Sequence, residues 1–450
     1  MIKSITHTIA CAVLVVVAWN AEARDIVVDG TLASANDSNP GTDASPLKTL
    51  TAGVAIAMPG DTVIVKPGRY TDPNATWYSA FTPARSGTSA APITIKSVPR
   101  HGAVLVPRNF SSTAVNTYPA LSIYSKKYIV VDGFKAEGML KIHEDAGLDQ
   151  FVTIQNCIVL YGSQQGDDPS LNWGIAVHTS NRNIVRNNRV SSMRSSGNNS
   201  QNTAAIMVFA SNNNLIENND ADGGNGVVGS AYGQKAGQIH HNIWRRNIAR
   251  NAPIGFLGKG STAGDQFSDY ETFYQNIIID CVIAFNLNHN SRYWAVYNNT
   301  AYNVQHFMMQ WQLSSVGNQY WNNLVVASVS MYQIEDLSSA SFAAFITYSN
   351  YNLISSTSGP FARWQYGSGA MTLAQWKSTT GYDAQTIAGD PQFVNAAAGD
   401  FHLRATSPAK GKGRDGEDIG AYPTGSEIIG LLPSDAQAIP NPPSNVDVAG

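Results

Sequence analysis

Charge is what this sequence has least of. Only 14% of its 450 residues are Asp, Glu, Lys or Arg, and the formal net charge is -3. A nucleic-acid-binding domain carries a concentrated basic surface, so this balance argues against one. Cysteine is nearly absent: of three, Cys11 lies in an N-terminal apolar run, leaving Cys157 and Cys281. Beyond Trp19 no apolar run approaches the roughly 20 residues that a membrane span needs. Acidic residues are missing altogether from Gly223 to Gly264, a stretch that holds Lys235, Arg245, Arg246, Arg250 and Lys259. Such a local cationic field attracts anionic ligands even on a chain of negative net charge.

What the chain does have is glycine, 38 residues of it, and long tracts of Asn, Ser and Thr, a composition suited to an extended β protein with many turns. Its first residues, MIKSITHTIACAVLVVVAWNAEARD, combine one Lys, an apolar run from Ile9 to Trp19 and the small-residue pattern Ala21-Glu22-Ala23. That is the form of a secretory signal peptide over residues 1–23, and it predicts a secreted or periplasmic soluble protein. Cys11 sits within the apolar run rather than after it, which argues against a lipoprotein anchor.

Between about residues 150 and 350 one phrase recurs: VTIQNCIVL, NIVRNNRVS, NLIENNDAD, NIWRRNIAR, TFYQNIIID, WAVYNNTAY and QYWNNLVVA. In register, each has an apolar residue, two variable residues, a turn residue that is nearly always Asn, one variable residue and a small or β-branched residue. The turn residues are Asn188, Asn219, Asn247, Asn276, Asn299 and Asn323, with Cys157 in the first place. Their spacing is that of one solenoid turn per phrase. The residues three before each Asn (Val185, Ile216, Trp244, Phe273, Val296, Tyr320) and two after it should stack in a core. Because an amide both donates and accepts, Asn stacked on Asn can satisfy a buried bend in every turn. Period-2 alternation favours strands over a helical solenoid. A solenoid needs capped ends; Leu47, Leu50, Val54 and Met58 fall on one face of a short helix that Pro59-Gly60 stops. The Pro-rich residues 431–450 lack periodicity and read as a flexible tail.

The opening DGTLASANDSNPGTDASPLKTLTAGVAIAMPGDTVIVKPGRY, the Asn phrase and the closing GDPQFVNAAAGDFHLRATSPAKGKGRDGEDIGAYP together resemble the parallel β-helix proteins of the pectate-lyase-like superfamily. The resemblance implies an all-β, single-domain right-handed parallel β-helix over residues 24–430, with a cap over about 24–60. It separates Cys157 from Cys281 by about four turns of roughly 4.8 Å, too far for a disulfide, so two buried free thiols are expected. On reaction the superfamily is diverse, spanning lyases, hydrolases, epimerases and non-catalytic surface proteins, so function rests on the site.

On such a scaffold outward positions repeat once per turn and line a groove suited to a polymer. Three turns depart from the compact rhythm, at about 230–241, 258–271 and 287–293, where loops on a rigid frame place functional groups. They supply candidate catalytic residues Lys235, Lys259, His289 and Arg292. Candidate substrate-binding residues are His178, Tyr232, His240 and Trp311. β-Elimination from a uronate polymer requires a base for the C5 proton, an acid for the leaving oxygen and neutralisation of the carboxylate. The resemblance implies that Lys or Arg serves as base, with Lys235 and Lys259, 24 residues apart, as the matching pair. The expected reaction is therefore that of an exported polysaccharide lyase acting, as a monomer, on an acidic polysaccharide or oligosaccharide, without nucleic-acid or membrane partners. A glycoside hydrolase using Asp265, Asp269 and Glu271, a uronate epimerase and a non-catalytic carbohydrate-binding envelope protein are the alternatives. No metal ligand set is signalled. Calcium remains open, with Asp220 and Asp222 or Asp265 and Asp269 as the carboxylate clusters nearest the groove.

Overall fold

The structure is a computed structural model that describes residues 22–431, apart from 166–167, 192, 194–201, 234–239, 261–266, 312–314, 335–344, 357–358 and 365–368. Most of the expected signal peptide, up to residue 21, and the expected tail from 432 lie outside the described residues. The strands join into two long, mainly parallel sheets, of 12 and 20 strands among the described residues. Each phrase places three residues in the first sheet, bends, and continues into the second, as in Ile243–Arg245 followed by Ile248–Lys259. The next turn repeats this directly alongside: Trp244 pairs with Phe273, and Ala249 with Ile278. The result is a coil of parallel strands, a parallel β-helix.

The expected core is present. Val185, Ile216, Trp244, Phe273, Val296 and Tyr320 are all buried, as are Val190, Ala221, Ala249, Ile278, Ala301 and Val325. Cys157 and Cys281 are buried free thiols, and burial pushes both up to about 12. The bend itself is built from a left-handed residue followed by the ladder Asn. Asn187, Asn218, Arg246, Gln275, Asn298 and Asn322 all have φ between 50° and 56°. Each following Asn accepts, on Oδ1, the backbone N–H and the Nδ2–H of its predecessor, as Asn247 does from Asn219 at 3.0 Å in both cases. The other Nδ2 hydrogen goes to a carbonyl, for Asn247 that of Ile216 at 2.9 Å. The ladder runs from Cys157 to Asn352 and ends where Asn352 Nδ2 donates to the buried Asp383 carboxylate at 3.1 Å. Leaving one such buried group unpaired costs about 1–3 kcal/mol, so the repeat of Asn is a structural requirement of the bend.

A second ladder, five residues upstream in each turn, runs through Asn183, Asn214 and Asn242. It ends on Glu271, whose Oε1 accepts from Asn242 Nδ2 at 2.9 Å and whose Oε2 accepts from the Trp244 indole at 3.2 Å. The capping helix is Leu50–Ile56, with Thr49 as N-cap. It is shorter than the apolar spacing suggests: Leu47 bridges Val28 and stays in the core, whereas Met58, beyond the helix, is 41% exposed. At the far end the chain turns back along the solenoid axis. Ala421 N–H donates to Thr300 Oγ1 at 2.9 Å, and Gly430 N–H to the Arg246 carbonyl at 2.8 Å. Among the described residues no helix is long and apolar enough to cross a membrane.

Candidate active site

In a strand successive side chains face opposite ways, so the second sheet has an outward row for every inward one. Its inward row Ile142, Val177, Val208, Ala231 and Leu287 belongs to the core. One residue further along each strand lies the outward row: Tyr124, His143, His178, Phe209, Tyr232, Lys259 and Asn288, each paired in register with the next, and the Trp311 backbone pairs in register with Asn288. Parallel in-register pairing turns residues spread over almost 190 positions of chain into one column, with about 4.8 Å between rungs.

The rings in this column touch. His143 meets His178 edge-on at 4.6 Å between centroids, His178 stacks on Phe209 at 4.7 Å, and Phe209 meets Tyr232 at 5.2 Å. The Lys259 ammonium lies 5.1 Å from the Tyr232 ring centre and donates to Asn202 Oδ1 at 3.1 Å. Asn202 in turn accepts, on its carbonyl, the Trp173 indole N–H at 3.0 Å. Inward of Lys259, a Cβ on Gly258 would come within 2.2 Å of the Trp294 indole. Glycine there lets Trp294 fill the core directly behind the lysine.

A second outward row, two residues back along each strand, contains Ser122, Lys141, Ala176, Met207, Ser230, Leu257, Asn286 and Met309. Outward residues of a β-helix ordinarily meet water; Lys141, Ser230, Leu257 and Asn286 are instead buried. Lys141 lies beneath the Trp77 carbonyl, to which its ammonium donates at 3.2 Å. Burial has electrostatic consequences, because a charge loses its hydration. It pushes Lys259 down from the usual lysine range and Lys141 down to about 7. It holds His143 down at about 3, with the Lys141 charge adding to the effect. His178 is driven well below the usual histidine range by burial, then by Lys141 and His143. Among the described residues the buried atoms Ser230 Oγ, Asn286 Oδ1 and His143 Nδ1 have no hydrogen-bond partner, as is also true of Ser268 Oγ and Tyr320 Oη elsewhere; on this outward face a polar ligand could pair with them.

Of the residues that the sequence analysis singled out, His178, Tyr232 and Lys259 thus stand on one column, and the backbone of Trp311 continues it. Lys235 lies outside the described residues, as does Asp265. His289 follows the column into the bend, at φ 44°, where its carbonyl accepts the Gly260 N–H at 2.7 Å. His240 and Arg292 lie beyond the bend in a separate row. His240 bridges Asp269, and its Nδ1 is 2.8 Å from that of His241. Arg292 is held by both oxygens of Asp269, at 2.8 and 2.6 Å, over the Phe267 ring.

The cationic segment also reads differently in three dimensions. Arg245 pairs with Glu217 at 2.6 Å and Arg250 with Asp220 at 2.8 Å. These acids are 28 and 30 residues away in sequence but one turn away in space, so much of the apparent positive field is cancelled. The carboxylates considered for calcium are engaged in the same way: Asp220 by Arg250, Asp222 by Asn251 Nδ2 at 2.8 Å, and Asp269 by Arg292. Among the described residues no three His, Cys, Asp or Glu gather as a metal site, and these carboxylates do not fit an ion that needs six to eight oxygen ligands. Glu271, a candidate hydrolase carboxylate by sequence, belongs to the bend ladder, where burial pushes it up to about 8.

Column residues that the sequence analysis did not single out are Tyr124, Lys141, His143, Phe209, Ser230, Asn286 and Asn288. One signal for them was available. LKIH at 140–143 matches IAVH at 175–178, apolar residue for apolar residue and His for His, but it precedes the stretch over which the repeat was aligned. Two surface clefts of about 660 and 470 Å³ lie elsewhere, the first beside Tyr302, Phe393 and Arg404, the second beside Asn251, Cys281 and Asn303. Neither contains a column residue.

Comparison with known proteins agrees with the fold. A family model described as a protein of unknown function, DUF1565, matches residues 33–80. No curated protein matches. Among solved structures, the chain is similar to the GH136 lacto-N-biosidase of Eubacterium ramulus, with 13% identity, a TM-score of 0.55 and coverage of 81% of this chain and 68% of that one. It is also similar to the pectate lyase Pel9A, with 14% identity, a TM-score of 0.54 and coverage of 88% and 96%. Identities this low speak for architecture alone, and the architecture is a parallel β-helix.

Proposed function

We propose that this protein is an exported polysaccharide lyase, with Lys259 as the base of a β-elimination on a uronate-containing polymer. The observation that carries this reading is the Lys259 ammonium, partly withdrawn from water on the outward column and 5.1 Å from the Tyr232 ring centre. A lysine can act as a base only when a useful fraction is unprotonated, and desolvation moves it in that direction. Lys259 removes the C5 proton of the uronate, and the pair of electrons forms the C4–C5 double bond. The C4–O bond breaks, and the departing oxygen takes the phenolic proton of Tyr232, one rung away. The Ser230 hydroxyl, in the adjacent row, donates to the carboxylate. Arg292 is left out of this role because Asp269 already occupies its guanidinium.

A pectate lyase of similar fold supports the reaction class, and the run of rings along the column suits a chain of sugars, whose C–H faces pack on aromatic faces. A hydrolase needs two carboxyl groups either about 5 Å or about 6.5–9.5 Å apart. The column residues named above include no carboxylate. The test is incubation of the mature protein with alginate, pectate and glycosaminoglycans, following the ultraviolet absorbance of the unsaturated product. A rising absorbance that disappears with Lys259→Ala supports the assignment. New reducing ends without absorbance establish hydrolysis instead, and silence on every uronate polymer overturns the reading.

A further inference from the structure

The column ends at a feature that the elimination does not use. Residues 77–82 cross the outward face at its N-terminal end and are tied down by their main chain. The Trp77 carbonyl accepts from Lys141 Nζ at 3.2 Å, the Tyr78 carbonyl from Ser122 Oγ at 2.5 Å, and Ala80 pairs antiparallel with Ser122. With the backbone facing the sheet, the two side chains are left uncovered: Trp77 and Tyr78 are each 38% exposed, with ring centres 4.6 Å apart. Tyr78 extends the column, at 5.8 Å from Tyr124 and 6.0 Å from His143. Beside them stands Asp145, its side chain 64% exposed, hydrogen-bonded by the Tyr124 hydroxyl and 3.3 Å from His143 Nε2.

Two partly exposed aromatic rings next to a solvent-facing carboxylate form a surface for a sugar ring. The C–H face of a pyranose packs on an aromatic face, and an ionised carboxylate only accepts, so it selects for hydroxyl groups. A uronate's own carboxylate would be repelled by Asp145, so the ring bound here presents hydroxyls to it. His143 is four rungs from Lys259, about 19 Å at the spacing of parallel strands. One sugar cannot reach both. The crossing segment also blocks the column, so the chain cannot continue past it.

We infer that Trp77, Tyr78, Tyr124 and Asp145 form a distal sugar subsite that holds the end of an oligosaccharide chain through its C–H face and hydroxyls. The inference rests on the proposed lyase reading for the identity of the polymer. It makes the enzyme length-selective, with the bond broken at a fixed number of sugars from the held end.

The experiment compares disaccharides with tetra- to hexasaccharides of galacturonate and of mannuronate, using the parent and Trp77→Ala/Tyr78→Ala. Turnover is followed by absorbance, and binding by calorimetry on Lys259→Ala, alone and combined with the two ring substitutions. The carbonyls rather than the rings hold the segment, so truncating the rings leaves it in place; matching thermal melts verify this. Loss of the rings is expected to raise KM for the longer substrates about tenfold, to move kcat less than twofold and to leave the disaccharide values nearly unmoved. Length-dependent binding by Lys259→Ala should fall about tenfold with the same substitutions. If KM rises equally for all lengths, or not at all, the subsite is overturned while the lyase reading stands. If no substrate is turned over but length-dependent binding is lost with the rings, the lyase reading falls and the subsite stands. Neither turnover nor binding overturns both.

Discussion

Two regions of this molecule bury polar side chains, and they do so on opposite terms. Along the bends every ladder Asn finds its partners: Asn247 accepts twice from Asn219 and donates to Asn276 and Ile216. On the outward face of the second sheet Ser230, Asn286 and His143 are equally buried, yet each keeps a polar atom unmatched. Folding free energy accounts for the first arrangement and not for the second, since an unmatched buried group costs about 1–3 kcal/mol. The outward-face atoms share a sheet with the partly desolvated Lys259, where a bound ligand would complete them. Stability and function are thereby assigned to different sides of the same strands.

That division can be probed by substitution. The largest effect should come from Lys259→Ala, which lowers kcat on the uronate substrate by about a hundredfold or more, the usual contribution of a general base. Its thermal melt should stay close to the parent's; a large loss of stability instead would make Lys259 a structural residue. Asn247→Ala should do the reverse. It strips two donors on Asn219 of their acceptor, so denaturant unfolding should show a loss of about 3 kcal/mol, with KM and kcat of the folded fraction near those of the parent.

A third substitution uses pH. Glu271 has a folded value raised to about 8, above its ordinary carboxyl range, so its protonated form is favoured by folding. The stability it contributes is fully present below the unfolded value and is lost as pH rises through the folded one. Glu271→Gln should therefore gain on the parent between about pH 5 and pH 9, measured as the difference in melting temperature across that range. A difference that stays flat would show that Glu271 ionises as an ordinary carboxylate. The smallest effect is expected from Ser230→Ala. Removing an unmatched buried hydroxyl should stabilise the protein by up to about 1 kcal/mol while weakening substrate binding. A loss of stability would mean that the hydroxyl is already satisfied.

The sequence carries the scaffold openly and the site only in part, for a physical reason. A bend needs the same amide in every turn, so Asn188, Asn219, Asn247, Asn276, Asn299 and Asn323 announce themselves at a regular spacing. The second ladder was legible in the same way, five residues upstream, but Glu271 and then Trp294 interrupt it. The column has no such obligation to repeat. His143 and His178 repeat one residue type, but Phe209, Tyr232 and Lys259 share their position without sharing a residue type, and only register reveals these as neighbours. Charge counted along the chain misleads for a related reason: Arg245 and Arg250 lie in an acid-free segment, yet their partners Glu217 and Asp220 wait one turn away.

The two ladders also have a direction. In each, donors point toward the C-terminal end of the coil, so the amide dipoles add head to tail, as peptide dipoles do along an α-helix. An Asn can relay this polarity because it accepts on one atom and donates from another, whereas the carboxyl oxygens that meet the line accept from it. Both chains of amides stop at an acid, Asn352 on Asp383 and Asn242 on Glu271. In each case a carboxyl oxygen receives the positive end of the line, so the place where each amide wire stops is written into the sequence.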